Sequence, residues 1–475
     1  MMKRFFLFAL LLASGATWAQ NADEPIRLGS LDAETSERLS RDVEYLASDG
    51  LEGRQPGTRG ADLARDYILE AFTQHGLLPY FGDTYLQPFS TPRLCEYPED
   101  GNRLGRGRRE ISVNEGFGPT PLSSTGEVKA KTVYVRYGIV SPEAGRDDYG
   151  KRKTSGRIVV MDAVVPAELK KTHGRSTTMW NRVVEAKNRG AVAVIFIHRG
   201  LKKGQFIPPY RSKWLKDSGI PVAYVSNRRV ANKLRRNRRA LSMQCTVVPR
   251  AQRAENVVGL LNLGQPQTVV IGAHYDHVGY GREGGASDPE RAGEIHNGAD
   301  DNASGTAVLM ELVRQISSRP ELHDRNYVFI AFSGEEDGLV GSKTFTNSEA
   351  HLQGVEYMIN LDMVGRLAPN DSLTVYATGS AEQWPTLLDD INGDLYELVE
   401  VGDLFPRSDH ANFIRNGVPA VMFFTGFHGD YHSPDDDFDM IDSQGMVTVV
   451  ETVLELIRRA QSVPEFMFAN PTQVE

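Results

Sequence analysis

The sequence has few cysteines, no excess of basic charge and no long apolar run after its first residues. Two cysteines in 475 residues exclude a disulfide-dense scaffold and a cysteine-rich zinc module. The net charge of −9 argues against nucleic acid as a partner. No later stretch reaches about 18 apolar residues, so we expect neither a membrane-spanning helix nor a stable membrane anchor. The 40% apolar and 24% charged residues are ordinary for a globular protein, and the length predicts two or three domains.

The first residues have the pattern of an export signal. Lys3 and Arg4 precede an apolar run from Phe5 to Ala13, and small residues follow at Thr17 and Ala19, spaced as cleavage requires. We therefore predict a signal peptide over residues 1–19 and an exported chain, either periplasmic or secreted. No cysteine lies at the cleavage point, which argues against a lipoprotein anchor.

Hydrophobic periodicity divides the rest of the chain into three parts. Residues 31–80 read as two helices separated by a Gly- and Pro-rich break. Residues 120–249 carry short β-rich runs with helices between some of them. From residue 250 onward, strands and helices alternate with short loops, which predicts an α/β fold.

Charge is unevenly distributed along the chain. Between Arg199 and Arg239 there are 13 Lys or Arg and one acid, Asp217. By contrast, Asp430–Asp442 holds six Asp. The basic segment is either a solvated face or a contact for an anionic surface.

Polar side chains with useful chemistry follow the predicted strands and precede one helix of the last part. They are His274 and Asp276 after Thr268–Ala273, Asp300 and Asp301 before helix Thr306–Ile316, Glu335 and Glu336 after Tyr327–Phe332, Asp362 after Tyr357–Leu361, and Tyr431 and His432 after Pro419–Phe424. Binding sites in open α/β sheets form outside the carboxyl ends of the strands, so we expect these side chains to converge.

Each motif alone has a simpler explanation, such as N-capping by the paired Asp or a solvated acidic turn. Neighbouring acids repel one another unless a cation is present, and a bare carboxylate at Asp362 in its apolar surroundings would be costly. Asp276 lies two residues from His274 on an extended chain and can hold its imidazole from behind. His277 would point to the other face, which makes it the poorer ligand candidate.

The ligand types indicate the metal. Two His and three carboxylates, without sulfur, suit zinc, with manganese or cobalt as alternatives. Two metal ions about 3.5–4 Å apart, bridged by one carboxylate, are a recurrent hydrolytic arrangement. A further carboxylate that binds no metal would serve as general base.

In this order the motifs resemble the co-catalytic zinc aminopeptidases, the group that also contains glutamate carboxypeptidase II, the transferrin receptors and the glutaminyl cyclases. The resemblance covers residues 250–460, and Leu46–Gly57 is similar to the N-terminal part of the family's peptidase domain. It implies the zinc exopeptidase fold, a mixed and mostly parallel sheet flanked by helices, with two Zn²⁺ as cofactors.

The resemblance also implies a role for each metal ligand. His274 and Asp362 would bind one zinc, and Glu336 and His432 would bind the other. Asp301 would bridge the two ions.

Further roles follow from the same resemblance. The Gly of the Ser-Gly pair, Gly305, selects Asp301 rather than Asp300 as the bridging residue, and the following Asp301–Asn302 bond is expected to be cis. Glu335 would be the general base, and Asp276 would support His274. Tyr431 would donate to the oxyanion.

The β-rich part is similar to a protease-associated domain, which usually sits as an insertion without chemistry of its own. The segments that carry this likeness are Gly156–Val160, Ala186–Phe196 and Gly219–Val222. We therefore predict the following boundaries: 20–119 for the N-terminal part of the peptidase domain, 120–249 for the insertion, 250–465 for the zinc peptidase domain and 466–475 for a C-terminal tail.

The implied activity is removal of N-terminal residues from a peptide substrate. Candidates for an apolar pocket that takes the substrate side chain are Phe405, Phe423, Phe424 and Phe427. For the strand residues Phe423 and Phe424, a place in the core is the simpler reading.

Three alternatives remain on the same fold. A carboxypeptidase or dipeptidase would hold the substrate carboxylate with Arg366 or Arg407. A glutaminyl cyclase would be a transferase that uses one zinc. A non-catalytic receptor should have lost ligands, whereas this chain retains the whole set.

Cys95 and Cys245 are predicted to form a disulfide. They are the only cysteines of an exported chain, and they flank the inserted domain where its two ends meet. Closing so long a loop contributes up to ~4–5 kcal/mol in the chain-entropy model. Thiol counting on the unfolded, unreduced protein should find no free thiol; two free thiols per chain would contradict the pairing.

Overall fold

The computed structural model describes residues 29–31, 33–98, 100–106, 109–198, 217–236, 239–281, 286–287, 291, 293–391 and 395–469. Within these ranges, the side chains of residues 92–96, 106, 109, 114, 249 and 250 are not described. The predicted signal peptide, 1–19, and most of the basic segment, 199–216 and 237–238, lie outside the described residues. Among the helices of the described part, none is long and apolar enough to cross a bilayer.

The α-helices of the described residues are α1 (Ala33–Leu46), α2 (Arg59–Gln74), α3 (Ala167–His173), α4 (Met179–Asn188), α5 (Arg228–Arg236), α6 (Gly305–Ser317), α7 (Val340–Thr346), α8 (Glu349–Leu352), α9 (Leu367–Asn370), α10 (Trp384–Leu388), α11 (His410–Arg415) and α12 (Ser443–Ala460). The strands are β1 (Leu78–Pro79), β2 (Leu86–Glu96), β3 (Arg103–Arg106), β4 (Arg109–Ser112), β5 (Phe117–Pro119), β6 (Gly126–Tyr134), β7 (Val140–Ser141), β8 (Arg146–Asp147), β9 (Ile158–Asp162), β10 (Ala193–Ile197), β11 (Val222–Val225), β12 (Ala240–Cys245), β13 (Val248–Leu261), β14 (Thr268–His274), β15 (Asn326–Phe332), β16 (Val355–Leu361), β17 (Ser372–Tyr376), β18 (Glu397–Val401) and β19 (Ala420–Phe424).

The chain divides into two compact units. The first unit comprises the described residues up to Phe89, Arg253–Gly281 and those from Ala286 onward, and the second unit comprises Ser90–Gln252. The second unit runs from Ser90 to Gln252, whereas the predicted insertion runs from 120 to 249.

The first unit is built on a mixed sheet with strand order β1-β13-β15-β14-β16-β19-β17-β18. The four central strands, β15, β14, β16 and β19, run parallel to one another. They are apolar and buried almost throughout, as expected for parallel strands covered on both faces. The predicted α/β class with a mixed sheet flanked by helices is confirmed.

Helices cover both faces of this sheet. One face packs against α1, α2, α6 and α12 in a single large hydrophobic core, and the other packs against α7 and α11. Because all four central strands run the same way, their carboxyl ends lie at one edge of the sheet. The loops that leave this edge are the ones that carry the candidate ligands.

The second unit has its own sheet, with strand order β4-β3-β12-β6-β9-β10-β11-β5, and two hydrophobic cores. The predicted beginning at residue 120 is wrong for this unit: residues 90–119 supply β3, β4 and β5 at its two sheet edges. These strands are three or four residues long, too short to show an alternating pattern. Whether this unit is a protease-associated domain stays a prediction.

The two cysteines lie at strand ends in this part of the chain. Cys245 is the last residue of β12, and its sulfur is buried near Ser123. Burial raises its pKa to about 12. The side chain of Cys95 lies outside the described residues, so the disulfide stays a prediction.

The predicted tail beginning at residue 466 is in part a packed segment. Phe466 is 8% exposed, and its ring centroid lies 4.6 Å from that of Tyr357 and 4.8 Å from that of Trp384. The Ala469 N–H donates to the carbonyl of Ser380 at 3.0 Å. The described part of the tail therefore belongs to the first unit.

A buried arginine from the N-terminal segment holds the loops beside the candidate site. Arg54 is 0% exposed and donates to four backbone carbonyls, those of Leu46 (2.6 Å), Tyr275 (2.8 Å), Asn297 (2.5 Å) and Gly298 (2.8 Å). Burial lowers the pKa of Arg54 to about 10, so its guanidinium stays charged at neutral pH. Arg54 therefore joins the chain around residue 54 to the loops that follow β14 and precede α6.

We expect Arg54→Met to be strongly destabilising, because four buried carbonyls would lose their donor. Each charge-assisted bond contributes about 1.5–3 kcal/mol, so the free energy of unfolding should fall by at least about 3 kcal/mol. Urea denaturation of the metal-free protein measures this. The matched control is Arg59→Met, at an exposed arginine that begins α2, which should change the free energy by less than about 0.5 kcal/mol. Equal losses in both variants would contradict this role of Arg54.

Candidate metal centre

The predicted ligands do converge at the carboxyl edge of the central strands. His274 ends β14, Glu335 and Glu336 follow β15, and Asp362 follows β16. Asp301 lies just before α6, and the loop after β19 brings His432 to the same place.

These residues form two adjacent clusters, in each of which the nearest ligand atoms lie within 4.8 Å of one another. The first cluster is His274, Glu335 and Asp362. The second cluster is His277, Asp301, Glu336 and His432.

Asp301 reaches both clusters with its two carboxylate oxygens. Its Oδ1 lies 3.4 Å from His274 Nε2, and its Oδ2 lies 3.0 Å from His432 Nε2. One carboxylate that divides its oxygens between two ligand sets has the geometry of a bridge between two cations. The peptide bond after it, Asp301–Asn302, is cis, as the resemblance implied.

The distances and donor types fit zinc. His274 Nε2 lies 3.4 Å from Asp362 Oδ1, and His432 Nε2 lies 3.0 Å from Glu336 Oε1. Two ligand atoms bound to one tetrahedral zinc at about 2.0–2.1 Å are about 3.3 Å apart. All donors are imidazole nitrogens and carboxylate oxygens, a set that zinc accepts.

The electrostatics show why these groups need a cation. Burial raises the pKa of Glu335 well above its usual range, and Glu336 and Asp362 raise it further, against the effect of His274. Burial lowers the pKa of His432, but Glu336 and Asp301 outweigh this and raise it to about 11. Against the effect of burial, nearby carboxylates also raise the pKa of His274, whereas burial lowers that of His277 to about 4. Without metal, protons on His274 and His432 therefore balance part of the negative charge.

His277 lies in the second cluster, and the expectation that it points away is wrong. Its Nδ1 lies 3.0 Å from Glu336 Oε1 and 3.8 Å from Asp301 Oδ2. The expectation assumed an extended chain, but β14 ends at His274, so the alternation of side chains stops there. The sequence feature that could have indicated this second imidazole is the motif His-x-Asp-His at residues 274–277.

Glycine at residue 298 makes room for this arrangement. Gly298 has φ +58°, and an added Cβ would lie 2.5 Å from the His277 ring and 2.1 Å from the Asp301 carbonyl oxygen. Only a residue without a Cβ fits between the two ligands in this backbone conformation.

Asp276 orients His274 through its backbone rather than through its carboxylate. His274 Nδ1 donates to the Asp276 carbonyl at 3.1 Å, and the carboxylate oxygen Oδ1 is 3.8 Å away. That oxygen accepts the Glu335 N–H at 3.1 Å instead. The bond leaves Nε2 of His274 facing the carboxylates, which is the tautomer a metal ligand needs.

Two further carboxylates, Asp300 and Asp436, lie beside Asp301, and of these two the sequence did not single out Asp436. Asp436 accepts the N–H of Asp300 at 3.1 Å and that of Asp301 at 3.0 Å. Asp300 accepts the Gly365 N–H at 2.7 Å, and its Oδ2 lies 3.3 Å from His428 Nε2. Asp300 thus ties two loops together, and Asp301 is the one that reaches the clusters.

A small cavity of about 50 Å³ opens beside the first cluster. Its lining combines His274, Glu335 and Asp362 with the apolar residues Met363, Met422 and Phe424. A mainly apolar lining with a few polar groups is typical of a small-molecule site.

Of the predicted aromatic candidates, Phe424, Phe427 and Tyr431 line this cavity. Phe423 belongs to the core of the first unit instead. Phe405 is 58% exposed and lies under Arg407. Burial raises the pKa of Tyr431, so its hydroxyl stays a donor.

The two arginine candidates differ in their surroundings. Arg366 is buried, and its Nη2 lies 3.4 Å from both Asp430 and Asp436. Arg407 lines the cavity, and its guanidinium stacks 4.6 Å from the Tyr376 ring centroid. Arg407 forms no ion pair with a carboxylate of the described residues.

Comparison with known proteins finds similarity to peptidases. Residues 256–457 match the model of peptidase family M28. Aminopeptidase YwaD of Bacillus subtilis is 27% identical over 300 residues, 60% of this chain and 60% of that protein. A probable leucine aminopeptidase of Arthroderma otae is 31% identical over 206 residues, 39% of this chain and 51% of that protein. The chain thus spans 51% and 60% of the lengths of these curated relatives.

A solved structure shows the same fold. The zinc aminopeptidase BSAP of Bacillus subtilis superposes with a TM-score of 0.59 at 22% identity, covering 90% of this chain and 95% of that one. Residues 256–457 thus match the model of peptidase family M28, and the chain has the fold of this solved structure.

Proposed function

We propose that the chain is an exported aminopeptidase that holds two zinc ions and removes N-terminal residues from peptides. The observation that carries the proposal is the division of the Asp301 carboxylate between the His274 and His432 clusters. The names of the relatives, all of them aminopeptidases, support the reaction class. Export rests on the sequence pattern of residues 1–19.

Two bound zinc ions would supply a water of lowered pKa and positive charge at the scissile carbonyl. They would be held by His274 and Asp362, by Glu336 and His432, and by Asp301 between them. These are the residues that the structure brings together.

Glu335 is the residue that moves the proton. Its side chain is 13% exposed and lines the cavity, where substrate and water enter. Its Oε2 would take a proton from the attacking water and give it to the leaving amine. The bond from its own N–H to Asp276 fixes the backbone that carries it.

Tyr431 would stabilise the developing oxyanion. Its ring stacks on that of His432, with centroids 3.9 Å apart, and lines the cavity. Because its hydroxyl stays protonated, it can donate to the carbonyl oxygen as negative charge develops there.

The cavity favours binding of a free amino group. Asp301, Glu335 and Asp362 make one wall acidic, which suits an ammonium group, and the methionine and phenylalanine wall suits an apolar N-terminal side chain. The carboxypeptidase alternative retains one supporting feature, Arg407 at the cavity, whereas Arg366 is already engaged by Asp430 and Asp436.

We expect Glu335→Gln to retain two zinc ions per chain and to lose about 10²–10⁴-fold in kcat, because the proton acceptor is gone while the ligands remain. Elemental analysis and steady-state kinetics measure the two effects. Glu382→Gln, at an exposed glutamate, is the control and should change neither. Near-normal kcat in Glu335→Gln would remove Glu335 from the mechanism, and active protein without transition metal would refute the metallopeptidase.

We expect roughly a hundredfold or greater preference for a free over an N-acetylated peptide. Losing one charge-assisted contact accounts for about 1.5–3 kcal/mol of this, and steric exclusion adds to it. Four forms of one short peptide, with free or acetylated N-terminus and free or amidated C-terminus, decide between the rivals. Equal cleavage of the acetylated form, or loss of cleavage only on amidation, would point to the carboxypeptidase.

A further inference from the structure

The second cluster contains one more metal donor than the proposed ligand set uses. His277 is 0% exposed, and neither of its ring nitrogens has a hydrogen-bond partner in the described part of the chain. Its Nδ1 lies 3.0 Å from Glu336 Oε1, but without the alignment of a hydrogen bond. A fully buried imidazole with two unsatisfied nitrogens is costly unless something binds it.

The surroundings of His277 suit a metal ion. Its ring centroid lies 5.4 Å from that of His432, with the two planes at 78°, so the two imidazoles approach Glu336 and Asp301 from different directions. The Gly298 backbone packs against one side of the ring, so closely that a Cβ at residue 298 would lie 2.5 Å from it. Its neighbours are carboxylates and another imidazole, which together form a metal-ligand set.

We propose that His277 is a fourth protein ligand of the second zinc ion and that it binds through Nδ1. The second position, the zinc site of the second cluster, would then have four protein ligands, enough for a tetrahedral site: His277, Asp301, Glu336 and His432. The first position has His274, Asp362 and Asp301 and keeps an open side. This inference rests on the proposed two-zinc site.

The cavity supports this difference between the two positions. All three residues of the first cluster, His274, Glu335 and Asp362, line it, whereas of the second cluster only Asp301, which reaches both, does so. Catalytic zinc sites keep an open position and closed four-ligand sites do not. The first position is therefore the one that meets substrate, and the second position is closed and fills first.

Nitrogen-15 NMR of histidine-labelled wild-type protein tests the proposal without relying on activity. On titration of the metal-free protein with Zn²⁺, we expect three imidazoles to acquire metal-bound shifts, two through Nε2 and one through Nδ1. The Nδ1-bound imidazole should appear with the first equivalent, together with one Nε2-bound imidazole. The second Nε2-bound imidazole should follow with the second equivalent.

His277→Asn assigns the Nδ1-bound signal, which should vanish in this variant. The affinity for the first equivalent should fall by more than about 100-fold, beyond the 10–100-fold that losing a mere hydrogen-bond partner of a ligand costs. The matched control is His410→Asn, at another buried histidine whose nitrogens also have no partner in the described residues and which belongs to neither cluster. It should leave both binding steps unchanged.

Each outcome separates this inference from the proposed function. Two zinc ions bound with two Nε2 imidazoles and no Nδ1 signal would overturn the role of His277 and leave the peptidase proposal standing. Simultaneous filling of both positions would overturn the order of loading. Failure to bind zinc at all would refute the proposed function itself. The wild-type count decides the first point even if His277→Asn does not fold.

Discussion

Mutual repulsion among buried carboxylates is the constraint on which the arrangement of the first unit depends. Asp301, Glu335, Glu336 and Asp362 are brought to one edge of the sheet, and further acids lie behind them. Burial raises the pKa of Asp276 to about 7 and that of Asp409 to about 6. Two divalent cations would balance the four foremost carboxylates, and their binding would release the protons that the imidazoles otherwise hold. The fold therefore assembles a site whose charge is complete only with metal.

Residues without a metal motif make this assembly possible. Arg54 supplies positive charge from beneath and fixes the loops after β14 and before α6 by their carbonyls. Asp436 fixes the opposite side of the second loop by its N–H groups. The loop that carries Asp301 is thus held through its backbone by both Arg54 and Asp436. Its two carboxylate oxygens lie 3.4 and 3.0 Å from imidazole nitrogens of the two clusters.

Much of this could be predicted, because the central strands are apolar runs with polar residues at their ends. The predicted helix Thr306–Ile316 and strand Tyr327–Phe332 match α6 and β15 to within one residue at each end. The expectation that functional residues follow the carboxyl ends of strands selected His274, Asp362 and His432, which the structure places together. The expectation that His277 points to the other face was wrong, because side chains alternate between faces only within a strand, and β14 ends at His274. Asp436 could not be distinguished from the other aspartates of its acidic segment. The hydrogen bonds from Arg54 to backbone carbonyls could not be predicted, because any residue supplies a carbonyl.

The hydrogen bonds of Arg54 also determine when the loops beside the site can become ordered during synthesis. The arginine emerges from the ribosome before the whole of the second unit, yet three of its four acceptor carbonyls, at Tyr275, Asn297 and Gly298, come after that unit. Until those residues are made, its guanidinium has to remain in water, and the ligands that follow are not yet present. The proposed metal site can therefore form only after synthesis has passed both the second unit and His432, the last residue of the two clusters.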